Sequence, residues 1–326
     1  FKAFRVFNDG GKIAGRVVDA TLDDLSKGEV VFRTAYSSVN YKDALAATGT
    51  GGKIIRTYPL TGGVDAAGTV VSSGDARFAP GDEVICTSYD FGVSHDGGFS
   101  EYCRVRADWI VPLPKGLTLF EAMALGTAGY TAGLAFELLE LNGLSPDKGR
   151  VLVNGATGGV ATLAIDMLAA RGFDVTAVTG KSNEHDFLKS IGAHEVLSRD
   201  TLDLGTRPLE RALWAAAFDS VGGAQLTWLT RTMQTHGLIA SFGNAGGIEL
   251  NTTVLPFILR GVRLIGVDSG YTPMALRRKV WNRLATDLKP RHLDRIAYPI
   301  KLADLPTQFD AMLKGRTRGR AVVALP

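Results

Sequence analysis

The feature that most constrains this chain is an alternation that begins after Gly149. Val151-Leu152-Val153 is a wholly apolar run, the turn Ala156-Thr157-Gly158-Gly159-Val160-Ala161 follows it, and residues 160–170 have the composition of a helix. Asp174-Val175-Thr176-Ala177-Val178 reads as the next strand and 184–191 as the next helix, with further apolar runs at 215–218, 238–242 and 264–267. Strands without polar alternation are buried on both faces, and helical crossovers between them make them parallel. The pattern predicts an α/β fold with a doubly wound parallel sheet.

The first third has a different grammar. Residues 29–36, 67–71 and 83–86 read as short strands, and Ser73-Gly74-Asp75 and Ala79-Pro80-Gly81-Asp82 between them are turn formers. Close-spaced strands of this kind predict a small, partly closed β-barrel. Residues 120–141 have helical spacing interrupted by a glycine-threonine patch, and the strand-like end 320–325 returns to close the first domain. The expected division is 1–120 with 296–326 as one domain and 121–295 as the nucleotide domain.

A chain of 326 residues that is 45% hydrophobic supports two packed cores. No run of about eighteen apolar residues occurs, which excludes a membrane-spanning helix, and the N-terminus alternates like a strand instead of carrying the apolar block of a signal peptide. The net charge of +3 is small and the basic residues are scattered, so there is no nucleic-acid footprint. The only cysteines, Cys86 and Cys103, sit in separate strand-like stretches. They predict two buried thiols and a reducing, cytoplasmic setting.

A pyrophosphate needs a close backbone approach and the positive end of a helix. Strand 151–153, the turn 156–161 and the helix behind it supply both, although alanine stands at the first and third fingerprint positions, Ala156 and Ala161. An NAD site places a carboxylate about twenty residues further on, against the ribose. This chain has Thr179-Gly180-Lys181-Ser182 there, a lysine and two hydroxyls suited to a 2′-phosphate, with Arg199 after the third strand as a second candidate, for the adenine or its phosphate. NADPH is the expected cofactor. A catalytic zinc needs histidine, cysteine or carboxylate ligands around an open position. The stretch Gly62-Gly63-Val64-Asp65-Ala66-Ala67-Gly68 lacks histidine, and the five histidines show no metal-ligand spacing. No metal site is expected.

Several pieces then add up to a family. Ser37-Ser38-Val39-Asn40-Tyr41-Lys42-Asp43-Ala44-Leu45, Gly52-Lys53-Ile54-Ile55-Arg56, Gly126-Thr127-Ala128-Gly129-Tyr130-Thr131-Ala132, residues 255–264 and Gly266-Val267-Asp268-Ser269 resemble the medium-chain dehydrogenase/reductase superfamily. Within it the chain is similar, end to end, to the zinc-free quinone-oxidoreductase-like branch and its acryloyl-coenzyme A reductases. The resemblance implies a Rossmann NADPH-binding domain and a GroES-like catalytic domain. It implies reduction of a short 2-enoyl thioester, acryloyl-CoA to propanoyl-CoA. Cofactor contacts are implied at Thr157, Gly158, Gly159, Val160, Thr179, Gly180, Lys181, Arg199, Asn244, Ile258 and Ser269, with Tyr41 near the nicotinamide and acyl group. It also implies a homodimer paired through the apolar edge strand 264–267.

Hydride addition to an enoyl thioester makes an enolate, so the site must supply a donor to the thioester oxygen and a proton to the α-carbon. Asn40-Tyr41-Lys42-Asp43 follows a strand and can start a helix, with Asn40 and Asp43 on one face and Tyr41 roughly 100° away. Tyr41 is the candidate donor and Asn40 or Asp43 the groups that position it or a water. Asn40 and Asp43 are equally suited to cap the helix. Arg260, Arg263, the cluster Arg277, Arg278, Lys279 and Arg283, and Arg56 are candidates for the phosphates of coenzyme A, and the sequence does not choose among them. A quinone or activated-alkene reductase and a non-catalytic NADPH-binding protein are the competing readings.

Overall fold

A computed structural model of the chain describes residues 1–52 and 54–326; Lys53 of the Gly52–Arg56 motif lies outside the described residues. The strands in order are β1 (Lys2–Asp9), β2 (Lys12–Asp19), β3 (Val30–Ser38), β4 (Leu60–Thr61), β5 (Asp65–Ser73), β6 (Glu83–Thr87), β7 (Tyr102–Val105) and β8 (Ile110–Pro112). Then come β9 (Val151–Val153), β10 (Val175–Thr179), β11 (Glu195–Ser198), β12 (Trp214–Asp219), β13 (Met233–Ser241), β14 (Arg263–Gly266), β15 (Ala297–Lys301) and β16 (Arg320–Ala324). The helices are α1 (Tyr41–Thr48), α2 (Leu119–Leu141), α3 (Gly159–Ala170), α4 (His185–Ser190), α5 (Gly223–Thr232), α6 (Leu255–Arg260), α7 (Met274–Leu284), α8 (Leu293–Ile296) and α9 (Leu305–Leu313).

Two compact units result: Phe1–Ala128 with Gly270–Ala285 and Leu293–Pro326, and Gly129–Ser269 with Thr286–His292. The sequence reading sets the division at 120/121 and 295/296. In the structure Gly270–Ala285 packs with the first unit, because Arg277 of α7 is fully buried there. It donates to the Thr87 carbonyl at 3.2 Å and to the Tyr89 hydroxyl at 3.2 Å. That removes Arg277 from the proposed phosphate rim, since a buried guanidinium spent on protein acceptors cannot serve an exposed ligand.

In the first unit β2-β1-β4 form one sheet and β15-β16-β3-β5-β6-β8 a second, with β7 also paired to β3. The return of β16 onto β3 is antiparallel, with Val322 opposite Ser38. Phe4, Phe99 and Phe309 meet edge-on or tilted in one core, at centroid distances of 5.8 to 6.3 Å. Cys86 and Cys103 are free, buried thiols. Burial pushes the Cys103 thiol up to about 12 and the Cys86 thiol well above its ordinary range, so both behave as small apolar groups.

The second unit is a parallel sheet in the order β11-β10-β9-β12-β13-β14. Counted within the unit this is 3-2-1-4-5-6, the Rossmann order, in which the reversal between the first and fourth strands opens a crevice at their carboxyl ends. Leu152, Ala217 and Ile239 lie in its core with Trp214 and Trp228. No described helix is long and apolar enough to cross a membrane.

Candidate functional site

In the second unit the residues singled out from sequence gather along one edge of the sheet. Thr157, Gly158, Gly159 and Val160 follow β9, Thr179 ends β10 with Gly180 and Lys181 next, Arg199 follows β11, Asn244 follows β13, and Ser269 follows β14. All are at carboxyl ends of parallel strands. Ile258 instead sits on α6, in the connection from β13 to β14, and is 67% exposed.

The glycine turn is held by its neighbour across the crevice. Buried Asn154 donates to Asp219 Oδ1 at 2.6 Å, and its own Oδ1 accepts the Ser220 N–H at 2.8 Å. Asp219 also accepts the Gly222 N–H at 3.1 Å, which ties the loop after β12 to the turn after β9. Gly155, at φ +57°, has no room for a side chain: a Cβ there would lie 2.3 Å from Ser220 Oγ. Gly158 caps α3, a helix of twelve residues whose first-turn N–H groups have no acceptor within the helix. One turn further along the sheet edge the Arg199 guanidinium lies over Gly180, where a Cβ would stand 2.6 Å from Nη2. The Lys181 N–H is held by Thr179 Oγ1 at 3.1 Å. Tight backbone, open N–H groups and two cations on adjacent strand ends fit a phosphorylated dinucleotide.

The first unit holds a buried polar cluster at the start of α1. Asn40 is the N-cap, and Asp43 at the third helical position accepts the Asn40 backbone N–H at 2.8 Å. The Asn40 side chain turns inward: it donates to Asp65 Oδ2 at 2.7 Å and accepts from Arg320 at 3.2 Å. Asp65, with no exposed surface, further accepts from Ser38 Oγ at 2.6 Å, the Thr127 N–H at 2.9 Å and Thr127 Oγ1 at 2.5 Å. Arg320, 3% exposed, also donates to the carbonyls of Ala124 and Val39 at 3.1 and 2.9 Å. Burial holds its pKa below the ordinary guanidinium value, while Asp65 and Asp43 pull it back up.

Among the described residues Asp43 forms no ion pair. Its two oxygens accept the backbone N–H groups of Asn40 and Val64, at 2.8 and 3.1 Å. Burial, and then the charge of Asp65, push its pKa up to about 7, against the pull of those hydrogen bonds. Tyr41, the next residue after the cap, points away from the cluster and is 48% exposed. The three residues named for catalysis therefore divide: Asn40 and Asp43 fix the helix start, and Tyr41 is presented by it.

Gly126 makes this packing possible. It interrupts α2 at φ +51°, ψ −152°, a conformation open essentially to glycine alone. A Cβ there would lie 2.5 Å from both Asp65 Oδ2 and Ser38 Oγ. Asp65, Ser38, Thr127 and Arg320 were not among the sequence candidates. Asp65 stood in the metal-free glycine frame and Thr127 in the helix-breaking patch, so each had a local signal. Arg320 had none, since its partners are up to 282 residues away. Of the candidate phosphate contacts, Arg260 donates to the backbone carbonyls of Arg231 and Met233, and the exposed Arg263 donates through one nitrogen to that of Asn142.

Residues 26–115 match the family described as alcohol dehydrogenase GroES-like domain, and residues 159–286 that described as zinc-binding dehydrogenase. The chain is 46% identical over 316 residues to the acrylyl-CoA reductase AcuI of Ruegeria pomeroyi, covering 97% of this chain and 96% of that protein. It superposes on the crystal structure of Bacillus subtilis protein YhfP with NAD bound at a TM-score of 0.97 and 50% identity, covering 100% of this chain and 99% of that one. The YhdH oxidoreductase of Salmonella enterica, solved in complex with NADP, matches at 0.97 and 44%, covering 100% of each.

The second family's description names zinc, and the donor set here does not fit it. Among the described residues no group of three or more His, Cys, Asp or Glu side chains could hold a metal ion. Asp65 is saturated by Ser38, Asn40 and Thr127, and the two cysteines are buried, with thiols pushed up and away from the thiolate a metal binds.

Proposed function

We propose, since this chain belongs to the medium-chain dehydrogenase/reductase superfamily, that it is an NADPH-dependent, metal-free reductase of short 2-enoyl thioesters, converting acryloyl-CoA to propanoyl-CoA. The observation that carries this reading is Tyr41. A neutral hydroxyl stands exposed at a helix start that the buried Asn40, Asp65 and Arg320 network holds fixed. Likeness to an acrylyl-CoA reductase over 97% of the chain supports the substrate class.

NADPH supplies a hydride to the β-carbon of the enoyl group. The chain's own work is to bind, orient and neutralise. Thr157, Gly158, Gly159 and Val160 offer backbone N–H groups to the pyrophosphate. Lys181 and Arg199 take the 2′-phosphate, and Thr179, Gly180, Asn244, Ile258 and Ser269 complete the nucleotide's surroundings. Tyr41 donates to the thioester oxygen as enolate charge develops, which lowers the barrier because the donor is already in place. Asn40 and Asp43 are positioning residues that fix the direction from which Tyr41 approaches. The α-carbon proton comes from the Tyr41 hydroxyl or a water that it orders.

A panel of acryloyl-CoA, crotonyl-CoA and a simple quinone with NADPH separates this reading from a general alkene or quinone reductase. Preference for the three-carbon thioester supports it. Equal turnover of all three contradicts the substrate assignment, and NADPH binding with no turnover of any contradicts catalysis.

We also propose a homodimer paired through β14, the outer strand of its sheet, beside which Val254 and Leu259 of the adjoining segment are 64% and 63% exposed. Sedimentation velocity of wild type and Leu259→Glu tests it; a monomeric wild type contradicts it. The free buried thiols suit a reducing cytoplasm.

A further inference from the structure

The sheet of the second unit consists of two halves, β9-β10-β11 and β12-β13-β14, which meet where β9 lies beside β12. In this fold each half serves one mononucleotide of a bound dinucleotide. The first half carries the glycine turn, Lys181 and Arg199; the second carries Asn244 and Ser269. One side chain spans the junction between them.

Asp219, the last residue of β12, has no exposed surface. Its Oδ1 accepts Asn154 Nδ2 at 2.6 Å from the first half, and the N–H groups of Val221 and Gly222 at 3.2 and 3.1 Å from the second. Its Oδ2 accepts Ser241 Oγ at 3.1 Å, at the end of β13. The direction of the Asn154 bond is settled, because the amide oxygen already receives the Ser220 N–H at 2.8 Å. All these donors are neutral, and among the described residues Asp219 forms no ion pair. A buried carboxylate without a cation costs stability that an apolar side chain would not. What it supplies is direction, since one group sets the ends of β9, β12 and β13 together. The Asn244 loop follows from there. The Gly246 N–H donates to the Val221 carbonyl at 2.7 Å, and a Cβ on Gly222 would lie 2.5 Å from the Gly247 carbonyl oxygen and 3.3 Å from Asn244 Cα. Residues 244–247 therefore sit where residues 221–222 let them.

We propose that Asp219 is a positioning residue for the nicotinamide half of the cofactor, acting through the backbone of residues 221–222 and the Asn244 loop. This rests on the nucleotide site proposed above and not on the thioester substrate. Lys181 and Arg199 follow β10 and β11, on the far side of β9, so the adenosine half of the site does not depend on Asp219. Loss of the carboxylate therefore separates the two halves: contacts to the nicotinamide half loosen, and those to the adenosine 2′-phosphate remain.

The test titrates the full-length protein by calorimetry with NADPH and with adenosine 2′,5′-bisphosphate, which has the adenosine half alone. In Asp219→Ala the Kd for NADPH is expected to rise at least about tenfold, the loss of hydrogen bonds to a charged acceptor, with the Kd for the bisphosphate unchanged. A domain merely destabilised would lose both ligands together. Asp219→Asn keeps an oxygen toward Asn154, Val221 and Gly222 and can donate to Ser241, so it is expected to restore NADPH binding to within about threefold of wild type. Ser241→Ala, expected to weaken NADPH about threefold, keeps the inference testable if Asp219→Ala folds poorly. Unchanged NADPH affinity in Asp219→Ala, or in Ser241→Ala where it stands in, overturns the inference, as does equal weakening of both ligands. So does an Asp219→Asn variant as weak as Asp219→Ala, which would assign the effect to charge and not to position. A wild type that binds neither ligand contradicts the nucleotide site itself.

Discussion

Arg320, on the last strand, donates to the side-chain oxygen of Asn40 at 3.2 Å across 280 residues of sequence. With the bond from Asn40 to Asp65 at 2.7 Å, this fixes the cap of α1 from the side-chain end, while Asp43 fixes its backbone N–H. The residue next to the cap is Tyr41, so the far end of the chain sets the direction of the proposed donor.

Removing the Tyr41 hydroxyl isolates its contribution. Tyr41→Phe keeps the ring and the helix start and loses only the donor. Turnover is expected to fall by about 10²- to 10⁴-fold, the usual range for a positioned acid, with NADPH affinity unchanged by fluorescence titration. Unchanged turnover removes Tyr41 from the mechanism.

The cofactor assignment rests on two cations. Lys181→Ala and Arg199→Ala are each expected to raise the KM for NADPH by about 10- to 100-fold, the equivalent of one charge-assisted hydrogen bond, while the KM for NADH barely moves. Parallel loss for both cofactors would mean that these side chains serve the fold or the adenine and not the 2′-phosphate. A relative solved with NAD bound makes this comparison the informative one.

Much of this was legible in the sequence, and the reason differs between the two units. The parallel sheet announced itself through recurring apolar runs with helical stretches between them, and each predicted run from 151 to 267 overlaps an observed strand. The proposed nucleotide contacts were mostly local: all but Ile258, which sits on α6, lie at or just past a strand end, where position along the chain fixes position in space. The polar cluster was half legible. Asn40 and Asp43 are one helical turn apart and readable together, whereas Arg320, Asp65 and Thr127 meet them only through strand pairing and the break at Gly126. Arg277 stood among the candidates for the phosphate rim because its helix is basic, whereas its burial is decided by what α7 packs against.

Gly126 is where that cluster is most exposed to change. Alanine would put a methyl group 2.5 Å from Asp65 Oδ2 and from Ser38 Oγ, at φ +51°. Gly126→Ala is expected to lose at least about 2 kcal/mol of stability in urea unfolding, through backbone strain and a clash with buried polar atoms. A loss below about 0.5 kcal/mol, the size of a neutral surface change, would mean that the helix can close over the break.

Asp43 gives the protein a pH signature. Its pKa is about 7 in the folded chain against an ordinary 3.8. Between those values the native state therefore holds more protons than the unfolded chain. Stability from this group is full below the lower value, falls as pH rises through the window, and is flat above about 7. The difference between wild type and Asp43→Asn, measured by urea unfolding from about pH 4 to 8, should shrink by on the order of a few kcal/mol across that window. A difference that grows with pH would mean that Asp43 is ionised and stabilising throughout.

The central claim is hydride delivery to the β-carbon of an enoyl thioester, and isotope tracing tests it most directly. Acryloyl-CoA is incubated with NADPH deuterated at the transferable position, and the product is read by mass spectrometry and NMR. The account predicts propanoyl-CoA with a single deuterium at C3, and, in deuterated water with ordinary NADPH, deuterium at C2 instead. Deuterium from the cofactor at C2, or no propanoyl-CoA at all, would contradict it.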